Sequence, residues 1–145
     1  MNACLDFKRL SSVDTPMRNA WEGIAFERVC MWHEHEIRTA LGIAGVSASV
    51  CAWRSARKSG GAQIDLLIDR KDGVVNVCEV KFVTGEFSIG AKYAHELENK
   101  LSVLKDETQT EKSLHLTMVT VSGVKHNEYS YLVHSQVRLD DLFHH

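Results

Sequence analysis

The chain has 145 residues, a length that suits one domain with its own core and requires neither disulfides nor a structural metal. A single proline, no low-complexity stretch and an ordinary balance of apolar and charged residues exclude a largely disordered or fibrous chain. A formal net charge of −2 excludes broad attraction to nucleic acid, so any DNA contact must come from a local patch or a bound cation.

Residues 1–16 read as irregular, ending at Thr15-Pro16. The opening MNACLDFKRL has no signal-peptide apolar region, and no apolar run approaches a membrane span. The expectation is a cytoplasmic single domain over residues 1–145, with no membrane partner. From Met17 to Leu41, apolar residues including Trp21, Ile24, Phe26, Val29, Cys30, Ile37 and Leu41 recur every three or four positions, which predicts a long helix. Gly42 supplies its stop. Val46–Trp53 reads as a strand, and SARKSGG (55–61) as a polar loop. Two strands follow, Gln63–Asp69 and Val74–Phe82, joined by RKDG. Ile89–Asp106 predicts a second long helix, with Ala91, Ala94, Leu97, Leu101 and Leu104 on one side. Leu114–Val121 and Tyr129–Val137 read as two more strands, and LDDLFHH as a last turn. The order αβββαββ predicts an α/β domain: a central mixed sheet of about five strands, flanked by helices. The terminal His144-His145 pair carries no functional weight. Cys4, Cys30, Cys51 and Cys78 match no CxxC or zinc spacing, and Cys30 and Cys78 lie among apolar residues as small buried side chains.

The segment QIDLLIDRKDGVVNVCEVKF (63–82) interrupts two apolar arms with Asp65, Glu79 and Lys81. Lys71-Asp72 suit the centre of a type I turn and Gly73 the left-handed position after it. That loop pairs Arg70 with Val74, Asp65 with Glu79 and Gln63 with Lys81. Asp65, Glu79, Lys81 and Gln63 then share one face. A two-residue loop would instead put Asp65 opposite Cys78. Opposed carboxylates repel and raise one another's pKa. A lysine relieves part of this, and a divalent cation with open water positions relieves more. Such a site can polarise a phosphoryl oxygen and activate water, with Lys81 stabilising the charge that develops. The alternative is a solvated sheet face that carries these charges by chance. Against it, the same face also holds Leu67, Val75 and Val77.

Asp65, thirteen intervening residues, then Glu79-Val80-Lys81 resembles the motif of the PD-(D/E)xK nuclease superfamily, whose restriction-endonuclease-like core follows the same element order through residues 17–121. Longer stretches, GIAFERVC, ALGIAGV, GAQIDLLIDRKDGVVNVCEVKF and RLDDLF, resemble the C-terminal nuclease-like domain of bacterial AAA-type ATPases. This chain has no P-loop motif. The resemblance therefore implies a separated C-terminal domain or a free-standing relative. It implies Asp65 and Glu79 as ligands of Mg²⁺ or Mn²⁺, with the Val80 carbonyl as a third. It makes Lys81 the catalytic lysine and Glu27 a ligand through water or to a second metal. Ile64 stands where the superfamily's proline would be, as in many members that lack it.

Other candidates have plainer readings beside the functional one. His33-Glu34-His35-Glu36 is not HExxH, and its histidines point in different directions on a helix, so a solvated helix face is the better reading. Arg54, Arg57 and Lys58 could form a flexible basic loop on phosphates, or simply a soluble loop. On the second helix Lys92, Tyr93, His95 and Lys100 could face the cleft. Lys100 is the nucleic-acid candidate among them, against the stronger reading of a charged surface helix. Two functions compete. One is a metal-dependent DNA endonuclease. The other is a non-catalytic module that docks on an AAA-type ATPase or binds nucleic acid. DNA and an ATPase domain are the expected partners, and homodimerisation is left open.

Overall fold

The computed structural model describes residues 15–143, with side chains from residue 22 onward. Most of the irregular opening, Cys4 and the terminal His pair lie outside these residues. Helix α1 spans Thr15–Trp32 and α2 spans Glu34–Ala40. The single helix expected over Met17–Leu41 is thus broken at His33, which sits at φ −107° and ψ 32°, outside helical geometry. Apolar spacing continues across the break from Cys30 to Ile37, and both are fully buried. Gly42 ends α2 as expected, at φ +76°. The Ile43 amide donates to the Arg38 carbonyl and the Gly42 amide to Thr39, the paired bonds of a Schellman cap.

Strands β1 (Ala48–Arg54), β2 (Gln63–Arg70), β3 (Val74–Lys81), β4 (Ser113–Thr120) and β5 (Ser135–Arg138) form one sheet. Their order in space is their order in the chain. β1, β2 and β3 pair antiparallel, whereas β3–β4 and β4–β5 are parallel. The parallel step from β3 to β4 requires a crossover, which α3 (Ala91–Thr108) provides. The protein is therefore an α/β structure with a five-stranded mixed sheet flanked by three helices.

Two cores lie on opposite faces. Phe26 and Cys30 of α1 and Ile37 of α2 pack with Leu66, Ile68, Cys78, Val80, Val119 and Val137. Ala94, Leu97 and Leu104 of α3 pack with Leu67, Val75, Val77 and Leu116. β3 is covered on both sides, and every residue from Val75 to Val80 is buried. The expected strand at Tyr129–Val137 survives only as β5. Before it, Asn127 and Ser130 bond nearby backbone groups, and Ser130–Leu132 forms a 3₁₀ turn. The expected last turn is present as a 3₁₀ helix, Leu139–Leu142. Among the described residues no helix is long and apolar enough to cross a membrane.

Candidate active site

The β2–β3 hairpin sets the site. Gly73 takes φ +94°, as the turn chemistry requires, and Leu66 pairs with Cys78, Leu67 with Val77 and Asp69 with Val75. This is the register that places Asp65 next in line to Glu79. The ladder ends at Leu66–Cys78, however, so the two acids stand at its open end. The reason lies on the other edge of β2. Between the pairs Cys51–Leu67 and Trp53–Ile64, one residue of β1, Ala52, opposes two of β2, Asp65 and Leu66. This bulge breaks strict alternation, and Ile64 joins the same core as Leu67 instead of the core of Leu66 and Ile68. The period-two argument for a shared face holds along β3 but is interrupted at Asp65.

Glu79 is only 2% exposed, on the face covered by α3. Lys100 Nζ of α3 donates to its Oε1 at 2.5 Å. Burial pushes the Glu79 carboxyl above the ordinary carboxylate range. The Lys100 bond and charge oppose that, Asp65 adds to it, and Lys81 opposes it more weakly. Lys100 was expected on a charged surface. It lies three residues after the buried Leu97 and four before the buried Leu104, so it belongs to the inward side of α3. That spacing was the available signal, and it places Lys100 in the site rather than on an outer nucleic-acid face.

Glu27 of α1 is half-buried and comes to the same place. Burial raises its carboxyl most, followed by the negative charge of Asp65. Glu79 also raises it, while Lys81 and Lys100 lower it. Three carboxylates from α1, β2 and β3 and two lysines from β3 and α3 thus form one electrostatic group. Lys81 makes no ion pair among the described residues. Its Nζ instead stands over the Tyr93 ring, 4.5 Å from the centroid. The phenol is pushed well above its ordinary value, first by burial and then by Glu79, Glu96 and Asp65. Sequence reasoning placed Tyr93 near the cleft without this contact.

Of the two readings of the segment after β1, a flexible basic loop on phosphates or a plain soluble loop, the structure shows a loop tied down by its own contacts. Arg57 pairs with Asp106 and Glu107 near the end of α3. Ser55 Oγ also bonds the Glu107 carboxylate, and the Ala56 amide donates to it at 2.9 Å. A Cβ on Gly61 would stand 2.9 Å from Ser55 Oγ and 3.2 Å from the Arg57 carbonyl, so the loop closes on itself. Arg54 donates to Gln63 Oε1 at 2.9 Å. Of the three basic residues, only Lys58 has no partner among the described residues. A cleft lined by Gly61, Gln63, Glu96, Asn99 and Lys100 runs from the end of this loop to Lys100, the partner of Glu79.

The HEHE segment is spent on local pairs. Arg38 Nε donates to Glu34 at 2.7 Å, and His33 Nδ1 lies 3.5 Å from Glu36. Among the described residues no set of three or more His, Cys, Asp and Glu side chains is arranged to hold a metal ion. The Asp65 and Glu79 pair still fits a hard cation. Both donors are carboxylates, their charges oppose each other, and Mg²⁺ usually takes only one or two carboxylates and keeps several waters. Cys30 and Cys78 are buried free thiols, as expected, and burial pushes the Cys30 thiol up to about 12. Cys51 is free and exposed.

No family model and no curated protein matches the chain. A crystal structure of a protein of unknown function, AF1548, is similar, with a TM-score of 0.48 and 14% sequence identity. The match covers 72% of this chain and 55% of that one, so the chain spans little more than half of that protein's length.

Proposed function

We propose that the chain is a metal-dependent DNA endonuclease of the PD-(D/E)xK type with a restriction-endonuclease-like core. The observation that carries this reading is the gathering of Glu27, Asp65 and Glu79 with Lys81 at the end of one hairpin. Asp65, Glu79 and the Val80 carbonyl would hold Mg²⁺ or Mn²⁺, with Glu27 acting through water. The chemistry such an ion supplies is polarisation of a phosphoryl oxygen and activation of water. Lys100 favours the ionised form of Glu79 despite its burial, which keeps the carboxylate available as a ligand. Lys81 donates from Nζ to the oxygen on which negative charge develops, or orients the attacking water. Arg54 and Lys58, on the loop that ends at Gly61 and Gln63, meet the phosphate backbone and set position rather than sequence.

The test is a cleavage assay on single-stranded, duplex and branched DNA with Mg²⁺ or Mn²⁺. Wild-type protein should cut at least one form. Lys81→Ala should lose about 10²-fold or more in rate with DNA affinity nearly unchanged, since its role is confined to the transition state. Wild-type protein that cuts no form with either ion, alone or with a co-purified ATPase, sinks the reading.

One observation favours a second reading, a non-catalytic module docking on an AAA-type ATPase domain. Ile24 and Trp32 of α1, with Phe82 and Phe143, are exposed at 48%, 77%, 39% and 55%. Phe82 and Phe143 line one apolar hollow with Ala25, Val29 and Leu139, and exposed apolar surface of this kind marks interaction sites. Cleavage restored only by a co-purified ATPase would join the two readings.

A further inference from the structure

Two lysines share the acidic group, and they are held in different ways. Lys100 is committed, because its ammonium bonds Glu79 directly. Lys81 lies close enough to be sensed by Glu27 and Glu79 but makes no ion pair among the described residues. Its neighbour is the Tyr93 ring, which is itself braced edge-on by Phe87, with centroids 5.5 Å apart and planes at 89°. The Tyr93 hydroxyl is buried and makes no hydrogen bond among the described residues, so the residue serves its surroundings through its ring.

We infer that Tyr93 is a positioning residue for Lys81. Its ring face holds the ammonium beside the buried carboxylates while leaving the N–H donors unspent, an inference that rests on the nuclease reading for its purpose but not for its geometry. A carboxylate partner would fix the lysine equally well, yet it would consume donors and charge that a phosphoryl oxygen needs. A π face attracts the cation through its quadrupole and accepts no conventional hydrogen bond from it. The strand alone cannot supply this order, because Lys81 ends β3 and its four-carbon stem is free to turn. Tyr93 comes from α3, so the crossover helix brings both the lysine that neutralises Glu79 and the ring that aims Lys81.

The experiment compares wild type, Tyr93→Phe and Tyr93→Leu, with Tyr93→Met as a second ring-less variant should the leucine not fold. The side-chain methylene protons of Lys81, assigned by their loss in Lys81→Ala, are followed by NMR. Steady-state cleavage with Mn²⁺ is measured on single-stranded, duplex and branched DNA. Wild type and Tyr93→Phe should show upfield ring-current shifts and equal rates. The ring-less variant should lose the shift and about tenfold in kcat, with KM unchanged. No upfield shift in wild type overturns the inference, as does a ring-less variant with full kcat. A wild type that keeps the shift but cuts no DNA, alone or with a co-purified ATPase, overturns the nuclease reading and leaves the positioning supported.

Discussion

At the scale of single residues, the Glu79–Lys100 pair governs how the protein responds to pH. The folded-state carboxyls of Glu79 and Glu27 both lie above the ordinary glutamate value of 4.5. The folded state therefore holds more protons than the unfolded state between that value and the raised one. The stabilisation these groups give is complete below pH 4.5 and is lost as pH rises through the folded-state values. Urea unfolding across that window should show this fall in the metal-free protein, and Glu79→Gln should flatten it. Lys100→Met leaves Glu79 buried without its partner and should cost about 3 kcal/mol at neutral pH. The double variant Glu79→Gln with Lys100→Met should recover most of that loss, since no buried charge remains. Asp65→Asn should abolish calorimetric Mn²⁺ binding while keeping or raising metal-free stability, because it removes a repulsive neighbour of Glu79. Of these residues, Asp65, Glu79 and Lys81 stood out in the sequence because charges broke apolar runs. Lys100 did not, because a lysine on an amphipathic helix usually lies outside.

Among the elements, local chemistry was legible wherever one residue type decides the backbone. Gly73 and Gly42 took the left-handed conformations their turns demand. The two long helices and the hairpin register also followed from spacing. Features set by neighbours in space were not legible. The bulge at Asp65 and Leu66 depends on how β1 meets β2, and nothing within QIDLLID announces it. The break at His33 is hidden because the apolar recurrence runs through it. The short β5 is different, since Ser130 was a visible turn former within the run Tyr129–Val137 read as a strand, just after Asn127 in the connection. The closed loop after β1 supplies a prediction at this scale. Gly61→Ala drives a Cβ against Ser55 and the Arg57 carbonyl and should destabilise the protein by about 1–2 kcal/mol. Limited proteolysis should then cut within residues 55–62 well before the wild type is cut there.

For the whole molecule, a chain of net charge −2 would depend on very few cations to hold DNA. Arg57 is already paired, so Arg54→Ala with Lys58→Ala should weaken binding at every sequence and lower the salt slope by about 2. Arg57→Ala should instead cost folding stability, which separates the two effects in one series of titrations and melts. The overall α/β architecture was legible because strand and helix periods alternate clearly along the chain. The layering of Lys100 and Tyr93 onto the acidic group was not, because it arises when the crossover helix lies down on the sheet. The strand order has one more consequence. β3 is the middle strand, paired on both sides and covered on both faces. Its amide hydrogens should exchange with deuterium only through global opening, whereas those of the edge strand β1 should exchange through local fraying. The backbone that leads into Glu79, from Val75 to Cys78, would then be the last part of the molecule to yield its protons to solvent.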